Sequence, residues 1–135
     1  MKPIIGITMG DPASIGPEIT VKALSDPAVY KRCRPLVVGD ACMLEQAKTL
    51  VGQERIQIHS VTDPSQGIYQ WGIIDVLDMA LVDPRKLEIG KVSAMAGEAA
   101  FRYVEKVINL AMEGKIDATV TNALNKEAVN LAGHH

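Results

Sequence analysis

Residues 4–18 read IIGITMGDPASIGPE, and this stretch predicts how the fold begins. An apolar run typical of a buried strand breaks at Gly10-Asp11-Pro12, and an amphipathic segment starts at Gly16-Pro17-Glu18. The pattern predicts a strand, a tight loop and a helix start. Glycines let a ligand approach the backbone, and the free N–H groups of a helix start favour negative charge. Pro17 suits a first helical turn because no N–H is needed there. We therefore expect the loop to face an anion or another ligand, although it is neither a GxGxxG nor a P-loop motif.

The rest of the chain alternates apolar runs with helical periods. Further strands are predicted at residues 35–39, 56–59, 73–77 and 116–121, and helices at 15–24, 41–51, 93–113 and 125–132. Short apolar strands that alternate with helices indicate an α/β protein with three α/β/α layers, a largely parallel sheet and right-handed crossovers. Residues 82–91 contain Pro84 and Gly90 and predict an irregular connection.

Three local features refine these helices. Ile15, Ile19 and Ala23 recur at intervals of four residues, which predicts one apolar face of the first helix, and Val21 and Leu24 widen that face. Asp40 stands where the N-cap of the next helix belongs. Gly114 follows the longest periodic segment and is expected to end it.

Composition and charge exclude several classes of function. The 135 residues are 47% hydrophobic and 22% charged, which is ordinary for a globular domain with its own core. A net charge of −2, with one Trp and one Phe, gives no reason to expect binding to nucleic acid. No apolar run approaches the about 20 residues that span a bilayer, and no signal peptide is recognisable. A cytoplasmic protein is expected, without membrane or nucleic-acid partners.

Two loops are candidates for a binding site, because ligands of parallel sheets bind at the carboxyl ends of strands. The first is the loop that contains Gly10, Asp11 and Pro12. The second, residues 121–126, reads TNALNK and offers a hydroxyl, two amides and an ammonium group. These groups can bind phosphate or carboxylate oxygens, with the lysine as a mobile point charge.

Each candidate side chain also has a purely structural interpretation. Asp11 either faces a ligand or accepts hydrogen bonds from N–H groups of its own turn. Ser14 fits a helix N-cap better than a nucleophile, because no histidine stands nearby to act as a base. Glu18 is explained by the helix dipole alone, and Lys126 is either a solvated helix residue or a cation beside the substrate.

The cysteines and histidines predict neither a metal site nor a redox motif. Cys33 and Cys42 do not have the spacing of such motifs and are expected to be reduced, partly buried thiols. His59, His134 and His135 are not spaced to hold one ion, and no carboxylate is placed around them. No metal ligand is therefore assigned in this chain.

Three segments together resemble a known family. These segments, ITMGDPASIGPEI, GKVSAMAGEAAFRYVEKVINLA and DATVTNALNKEAVNLAGHH, are similar to the 4-hydroxythreonine-4-phosphate dehydrogenases of vitamin B6 (pyridoxine) biosynthesis. The related 4-phospho-D-threonate dehydrogenases look equally similar. The segments follow one another in the family's order and spacing, and the resemblance covers residues 3–135.

The resemblance implies a fold like that of isocitrate and isopropylmalate dehydrogenases, a cytoplasmic homodimer, and NAD as cofactor. It also implies a divalent metal ion (Zn, Mg or Co) that helps to bind the substrate. The substrate would be 4-phosphooxy-L-threonine, oxidised at a secondary alcohol beside a carboxylate, after which the β-keto acid loses carbon dioxide. The alternative substrate is 4-phospho-D-threonate.

Family members are more than twice as long as this chain. The substrate-binding His-Thr pair of the family, its three metal-binding histidines and its phosphate-binding residues all follow the last residue here. We expect one domain up to about residue 115 and the start of a second over 116–135. The 135 residues alone would be inactive, and the alternative of another class is a non-catalytic fragment or anion-binding module.

The residues to which the resemblance assigns site roles lie in the two loops. Lys126 is expected to be catalytic. The expected binding residues of the first loop are Gly10, Asp11, Pro12, Gly16, Pro17 and Glu18, and those of the second loop are Thr121, Asn122 and Asn125. Ser14 stands where related enzymes commonly have glycine.

Overall fold

The computed structural model describes residues 1–122 and 124–134. Its elements are, in chain order, β1 (Ile4–Thr8), α1 (Gly16–Ala23), α2 (Pro27–Arg32), β2 (Arg34–Gly39), α3 (Ala41–Leu50), β3 (Gln57–Val61), a 3-10 turn (Pro64–Gln66), β4 (Ile73–Asp78), α4 (Ala94–Met112), β5 (Ala118–Val120) and α5 (Lys126–Leu131). Ala123 of the second loop and His135 of the histidine pair lie outside the described residues.

The five strands form one parallel sheet in the order β3-β4-β2-β1-β5. The α/β class and the parallel sheet are therefore confirmed. From β1 through β2 to β3 the chain moves in one direction across the sheet. From β4 to β5 it moves in the opposite direction. Right-handed crossovers then place α1 and α3 on one face and α4 on the other. The contacts agree, because α1 packs on α3, and α4 packs on β1, β2 and α5.

The longest helix follows the prediction closely. The Oγ atom of Ser93 accepts a 3.2 Å hydrogen bond from the Ala96 N–H and caps α4. Gly114, at φ +74°, follows its end, as expected from the sequence. The buried stripe of α4 comprises Ala96, Gly97, Ala99, Ala100, Tyr103, Val107 and Leu110. Its small residues let the helix pack closely on β1 and β2.

The predicted apolar face of α1 is correct only in part, because Val21 and Leu24 are buried but its other three residues are exposed. The side chains of Ile15 and Ile19 are 61% and 45% exposed, and Ala23 is also exposed. The helix buries Thr20 and Val21 against the rest of the protein. Thr20 is stable there because its hydroxyl donates to the Gly16 carbonyl oxygen at 2.8 Å. The buried side of α1 therefore includes a polar residue whose hydroxyl is satisfied within the helix, whereas Ile15 and Ile19 stay exposed.

Asp40 occupies the N-cap position of α3, but its side chain does not cap the helix. Its carboxylate, 1% exposed, accepts hydrogen bonds from the Val82 N–H and from the Tyr103 hydroxyl, both at 2.7 Å. The Ala41 N–H donates to Asp78 Oδ1 at 3.2 Å instead. The predicted N-cap position of Asp40 is therefore confirmed, but its buried carboxylate accepts hydrogen bonds from two other donors and not from the helix.

Residues 79–93 form turns without a helix or strand, as predicted for 82–91. β5 pairs with β1 in the same sheet, and the domain boundary expected near residue 115 stays a prediction. Among the described residues, no helix combines the length and the apolar character that crossing a bilayer requires.

Candidate functional site

The two loops predicted from the sequence follow neighbouring strands, β1 and β5. Asn122 fixes the end of β5 to that of β1, because its backbone N–H donates to Thr8 Oγ1 at 3.0 Å. The Asn122 side-chain amide also donates to the Thr8 carbonyl oxygen at 2.8 Å and to Thr20 Oγ1 at 3.1 Å. The predicted site residue Asn122 thus holds the two loops together.

The first loop is a tight turn built around Asp11. Gly10 has a φ of +81°, which glycine adopts without strain. Asp11 is 4% exposed, and its Oδ1 accepts a 2.8 Å hydrogen bond from the Ala13 N–H. The Ser14 N–H donates to the Asp11 carbonyl oxygen at 3.1 Å. The Asp11 carboxylate therefore accepts a hydrogen bond within its own turn, as the structural interpretation predicts. Asp11 also lines a cavity, so its ligand-facing role stays a prediction.

The helix that follows this loop starts without a side-chain cap. Ile15 holds the N-cap position of α1 and Pro17 lies in the first turn. Ser14 is exposed and does not cap the helix, so its predicted N-cap role is wrong. A Cβ atom at Gly16 would lie 2.3 Å from the Met9 carbonyl oxygen. Close backbone approach, rather than capping, therefore fixes how α1 leaves the loop.

A third segment, which sequence analysis did not assign to the site, joins the first loop. The Gly90 N–H donates to the Ala13 carbonyl oxygen at 2.7 Å. The connection before α4 is thereby tied to the opening loop. A cavity of about 80 Å³ lies between the three segments and is lined by Asp11, Ala13, Ser14, Gly90, Lys91, Val92 and Asn125. This junction is the candidate site.

The predicted residues of the second loop have different places. Asn125 lines the cavity, and its side-chain oxygen accepts a 3.0 Å hydrogen bond from the Ala128 N–H, which caps α5. Lys126 begins α5, is exposed and does not line the cavity. Thr121 is also exposed.

The predicted residues of the first loop divide between two cavities. Pro12, Pro17 and Glu18 line a second cavity of about 40 Å³, whose other walls are Ser14, Met43, Gln46, Ala47, Leu50 and Ile89. Its walls are mostly apolar. Only Ser14 belongs to both cavities, so Glu18 and Asp11 lie on different sides of the loop.

Neither a metal ion nor a dinucleotide fits the candidate site in this part of the chain. Within residues 1–122 and 124–134, no three His, Cys, Asp or Glu side chains lie close enough together to hold a metal ion. His134 instead pairs with Glu98 and stacks on Phe101 at 3.7 Å between ring centroids. The 80 Å³ cavity holds a few water-sized groups and is far below the about 300 Å³ of small-molecule pockets.

Burial and carboxylates shape the ionisation of groups at the neighbouring strand ends. Burial, followed by the charge of Asp40, raises the pKa of the Tyr103 hydroxyl far above its usual range. Burial raises the pKa of the Cys42 thiol, and Asp40 and Asp78 add to the effect. A raised thiol pKa means little thiolate at neutral pH, and both cysteines are free thiols, as predicted from the sequence.

Sequence reasoning did not assign several residues that build the site, and three of them have polar side chains. Thr8 and Thr20 are buried hydroxyls that hold Asn122, and Lys91 lines the cavity. Thr8 stands at the end of the first predicted strand, and a polar residue at this position could have been assigned to the site. Lys91 lies in a segment without helical or strand periodicity; it belongs to the second segment that resembles the family, but no residue of that segment was assigned to the site.

Comparisons with known proteins identify the family and the fold of this chain. The model of the family described as pyridoxal phosphate biosynthetic protein PdxA matches residues 31–135. A D-threonate 4-phosphate dehydrogenase from Cupriavidus necator is 48% identical over 132 residues, which are 98% of this chain and 39% of the relative.

Solved structures give the same result. A 4-hydroxythreonine-4-phosphate dehydrogenase from Burkholderia phymatum superimposes with a TM-score of 0.94 at 47% identity, over 99% of this chain and 40% of that one. The enzyme of the same name from Klebsiella pneumoniae has a TM-score of 0.91 at 40% identity, with 99% and 40% covered. The chain spans about two fifths of the length of these relatives, all of which are named dehydrogenases. From the family match and the shared fold, this chain belongs to the PdxA family.

Proposed function

We propose that this chain forms the N-terminal part of an NAD- and metal-dependent dehydrogenase that oxidises a phosphorylated four-carbon hydroxy acid. The observation that carries the proposal is the 48% identity, across nearly the whole chain, to a D-threonate 4-phosphate dehydrogenase. The polar cavity at the carboxyl ends of β1 and β5 supports it, because ligands of parallel sheets bind there.

Two substrates fit this proposal. 4-Phosphooxy-L-threonine, from the vitamin B6 pathway, is supported by the names of the similar structures from Burkholderia phymatum and Klebsiella pneumoniae. D-threonate 4-phosphate is supported by the name of the Cupriavidus necator relative. Both carry a secondary alcohol, a carboxylate and a phosphate. The oxidation converts that alcohol to a ketone, and when the product is a β-keto acid it loses carbon dioxide.

The residues of this chain would bind and orient part of the substrate. Asp11 offers a buried carboxylate that can accept a hydrogen bond from a substrate hydroxyl. Asn125 and Ser14 add an amide and a hydroxyl to the same cavity. The ligands of the metal ion and most contacts to NAD would lie outside this chain, because the described residues offer neither a donor set nor sufficient space. A homodimer and a cytoplasmic location are part of the same proposal.

The first experiment combines the intact mass of the purified protein with NAD reduction on both substrates. We expect a mass well above 14.5 kDa and NADH production that stops after chelation and returns with a divalent metal ion. The dephosphorylated hydroxy acids serve as controls. Metal-independent turnover, or none with either phosphorylated substrate, would reject the proposal.

The proposed catalytic role of Lys126 needs its own test. In the whole enzyme, Lys126→Ala should lower kcat/KM by about 10-fold or more if the ammonium group touches the substrate. Lys31→Ala is the matched control, since Lys31 is an exposed lysine on α2. Equal kcat/KM values for the two variants would mean that Lys126 is a solvated helix residue without a catalytic role.

A second proposal concerns the 135 residues by themselves. All three residues of β5 are exposed, and β5 is an edge of the sheet. The side chains of Val120 and Leu131 are 51% and 61% exposed. An unpaired edge beside apolar surface favours association. We therefore expect the isolated chain to be oligomeric, without turnover, and to bind at most a small anion. A stable, monodisperse monomer would contradict this expectation.

A further inference from the structure

We propose that Lys91 binds the carboxylate of the substrate in the 80 Å³ cavity, while Asp11 accepts a hydrogen bond from the donor group beside that carboxylate, a hydroxyl in D-threonate 4-phosphate and an ammonium in 4-phosphooxy-L-threonine. This inference deepens the proposed function and depends on it for the identity of the substrate. It assigns the hydroxy-acid end of the molecule, rather than the phosphate, to this part of the chain.

The lining of the cavity has a definite chemical character. Among its residues, Lys91 is the cationic one and Asp11 the anionic one. Asn125 uses its side-chain oxygen to cap α5, so its amide NH₂ group is left to donate to a ligand. Ser14 adds a hydroxyl group that can donate or accept. The cavity therefore offers a fixed acceptor, a cation and a neutral donor within a small volume.

The hydroxy-acid head matches this set of groups better than phosphate does. The hydroxyl of D-threonate 4-phosphate, or the ammonium of 4-phosphooxy-L-threonine, lies beside the carboxylate, so either substrate presents a donor for Asp11 and an anion for Lys91. A phosphate dianion presents only acceptor oxygens, so it would meet the Asp11 carboxylate without a proton to share. The volume, about 80 Å³, admits a few water-sized groups and excludes a nucleotide.

The position of Lys91 relative to Asp11 is fixed by the backbone. The Gly90 N–H, one residue before Lys91, donates to the Ala13 carbonyl oxygen at 2.7 Å. The Ala13 N–H in turn donates to Asp11 Oδ1 at 2.8 Å. Two consecutive hydrogen bonds thus connect the backbone beside the lysine to the carboxylate.

The ammonium group of Lys91 is available at small cost. It pairs with Glu88 at 2.7 Å, but the two side chains are 73% and 63% exposed. Exposed ion pairs of this kind contribute little, because water screens them and holding two long side chains costs entropy. A substrate carboxylate at the cavity can therefore compete with Glu88 for the lysine.

The test uses variants on both sides of this ion pair. In the whole enzyme, Lys91→Ala should raise the KM for the phosphorylated hydroxy acid about 10- to 100-fold, as expected for the loss of a charge-assisted contact. Lys91→Arg should keep most of the affinity. Glu88→Gln should lower the KM by about 2- to 5-fold, because it frees the lysine. Lys86→Ala, an exposed lysine of the same connection that does not line the cavity, is the control and should leave the KM unchanged.

A binding experiment separates this inference from the proposed function. Glycolate, acetate and inorganic phosphate are titrated into the protein while the backbone amide resonances of the first loop and of Gly90 and Val92 are followed by NMR. Glycolate should shift these resonances in the parent protein and much less in Lys91→Ala, acetate should bind more weakly, and phosphate should not shift them.

The outcomes have distinct meanings. If glycolate binds through Lys91 but the protein does not reduce NAD, the inference holds for a hydroxy-acid ligand and the proposed function is rejected. Normal turnover with an unchanged KM in Lys91→Ala would overturn the inference and leave the proposed function standing. Phosphate shifts larger than those of glycolate would overturn the assignment of the hydroxy-acid end.

Discussion

The hydroxyl group of Tyr103 donates a 2.7 Å hydrogen bond to Oδ1 of Asp40, and both residues are fully buried or nearly so. The Val82 N–H donates to the other oxygen of the Asp40 carboxylate at 2.7 Å. The Asp40 side chain therefore joins α4, the end of β2 and the connection that leads to the candidate site. A buried carboxylate is stable only when such donors satisfy it.

Tyr103→Phe should therefore lower the free energy of unfolding by about 1.5–3 kcal/mol, the range for hydrogen bonds to charged groups. Tyr30→Phe is the matched control, because the Tyr30 hydroxyl donates to a neutral acceptor, the Ile73 carbonyl oxygen, at 3.1 Å. It should lose about 0.5–1.5 kcal/mol. Urea denaturation of the two variants measures both losses of unfolding free energy. Equal losses would mean that the charge of Asp40 does not strengthen the hydrogen bond from Tyr103.

Asn122→Ala should loosen β5, since it removes the side-chain donors to the Thr8 carbonyl oxygen and to Thr20 Oγ1. We expect a loss of about 1–3 kcal/mol and faster amide exchange in β5. Asn122→Asp should cost at least as much, because it places a carboxylate beside a carbonyl oxygen. Thr121→Ala, at the exposed neighbouring position, should change stability by less than about 0.5 kcal/mol. Unchanged exchange in Asn122→Ala would show that the strand is held by its backbone bonds alone.

Gly16→Ala should destabilise the protein even though alanine is the better helix former by about 1 kcal/mol. The added Cβ atom would lie 2.3 Å from the Met9 carbonyl oxygen, which is backbone and cannot move aside cheaply. Overpacking of this kind costs about 1–3 kcal/mol. Ser14→Ala, in the exposed part of the same loop, is the control for thermal or urea denaturation. A more stable Gly16→Ala variant would contradict the close approach.

The sequence was sufficient to predict the features that depend on local chemistry. Ser93, Gly114 and the apolar period of α4 specify that helix almost to its ends, since caps and periodicity act within a few residues. The sequence also predicted that each of the two loops directly follows a strand. Because every strand in the sheet is parallel, the two loops lie at the same edge of the sheet.

Features that depend on distant partners could not be predicted. α1 carries an apolar stripe with Ile15 and Ile19, but the assembled fold leaves these two side chains exposed and buries Thr20, whose hydroxyl accepts a hydrogen bond from the Asn122 amide. Asp75 lies inside a strand that looked apolar, and its buried carboxylate accepts hydrogen bonds from residues 68 and 69 and bonds to His59 at 2.8 Å. Only the assembled fold supplies these partners.

Alkaline pH should weaken the fold partly through Tyr69. Burial, followed by the charge of Asp75, raises the pKa of the Tyr69 hydroxyl from its usual 10.0 to about 12, while Arg34 opposes the shift. The folded protein thus keeps a proton that the unfolded chain releases first, so the stabilisation is complete below pH 10 and is lost as the pH rises towards 12.

Tyr69→Phe removes this titration and should make the decline in unfolding free energy between pH 10 and pH 12 shallower than in the parent protein. The decline should not vanish, because burial also raises the pKa values of Tyr30 and Tyr103. Urea denaturation at several pH values across this window gives the slopes, and the ultraviolet absorption of phenolate checks which tyrosines have ionised. The variant also loses the 2.6 Å hydrogen bond to the Pro64 carbonyl oxygen, which lowers stability at every pH and leaves the slope as the diagnostic quantity. Parallel curves for the two proteins would show that Tyr69 ionises as readily in the folded state as in the unfolded chain.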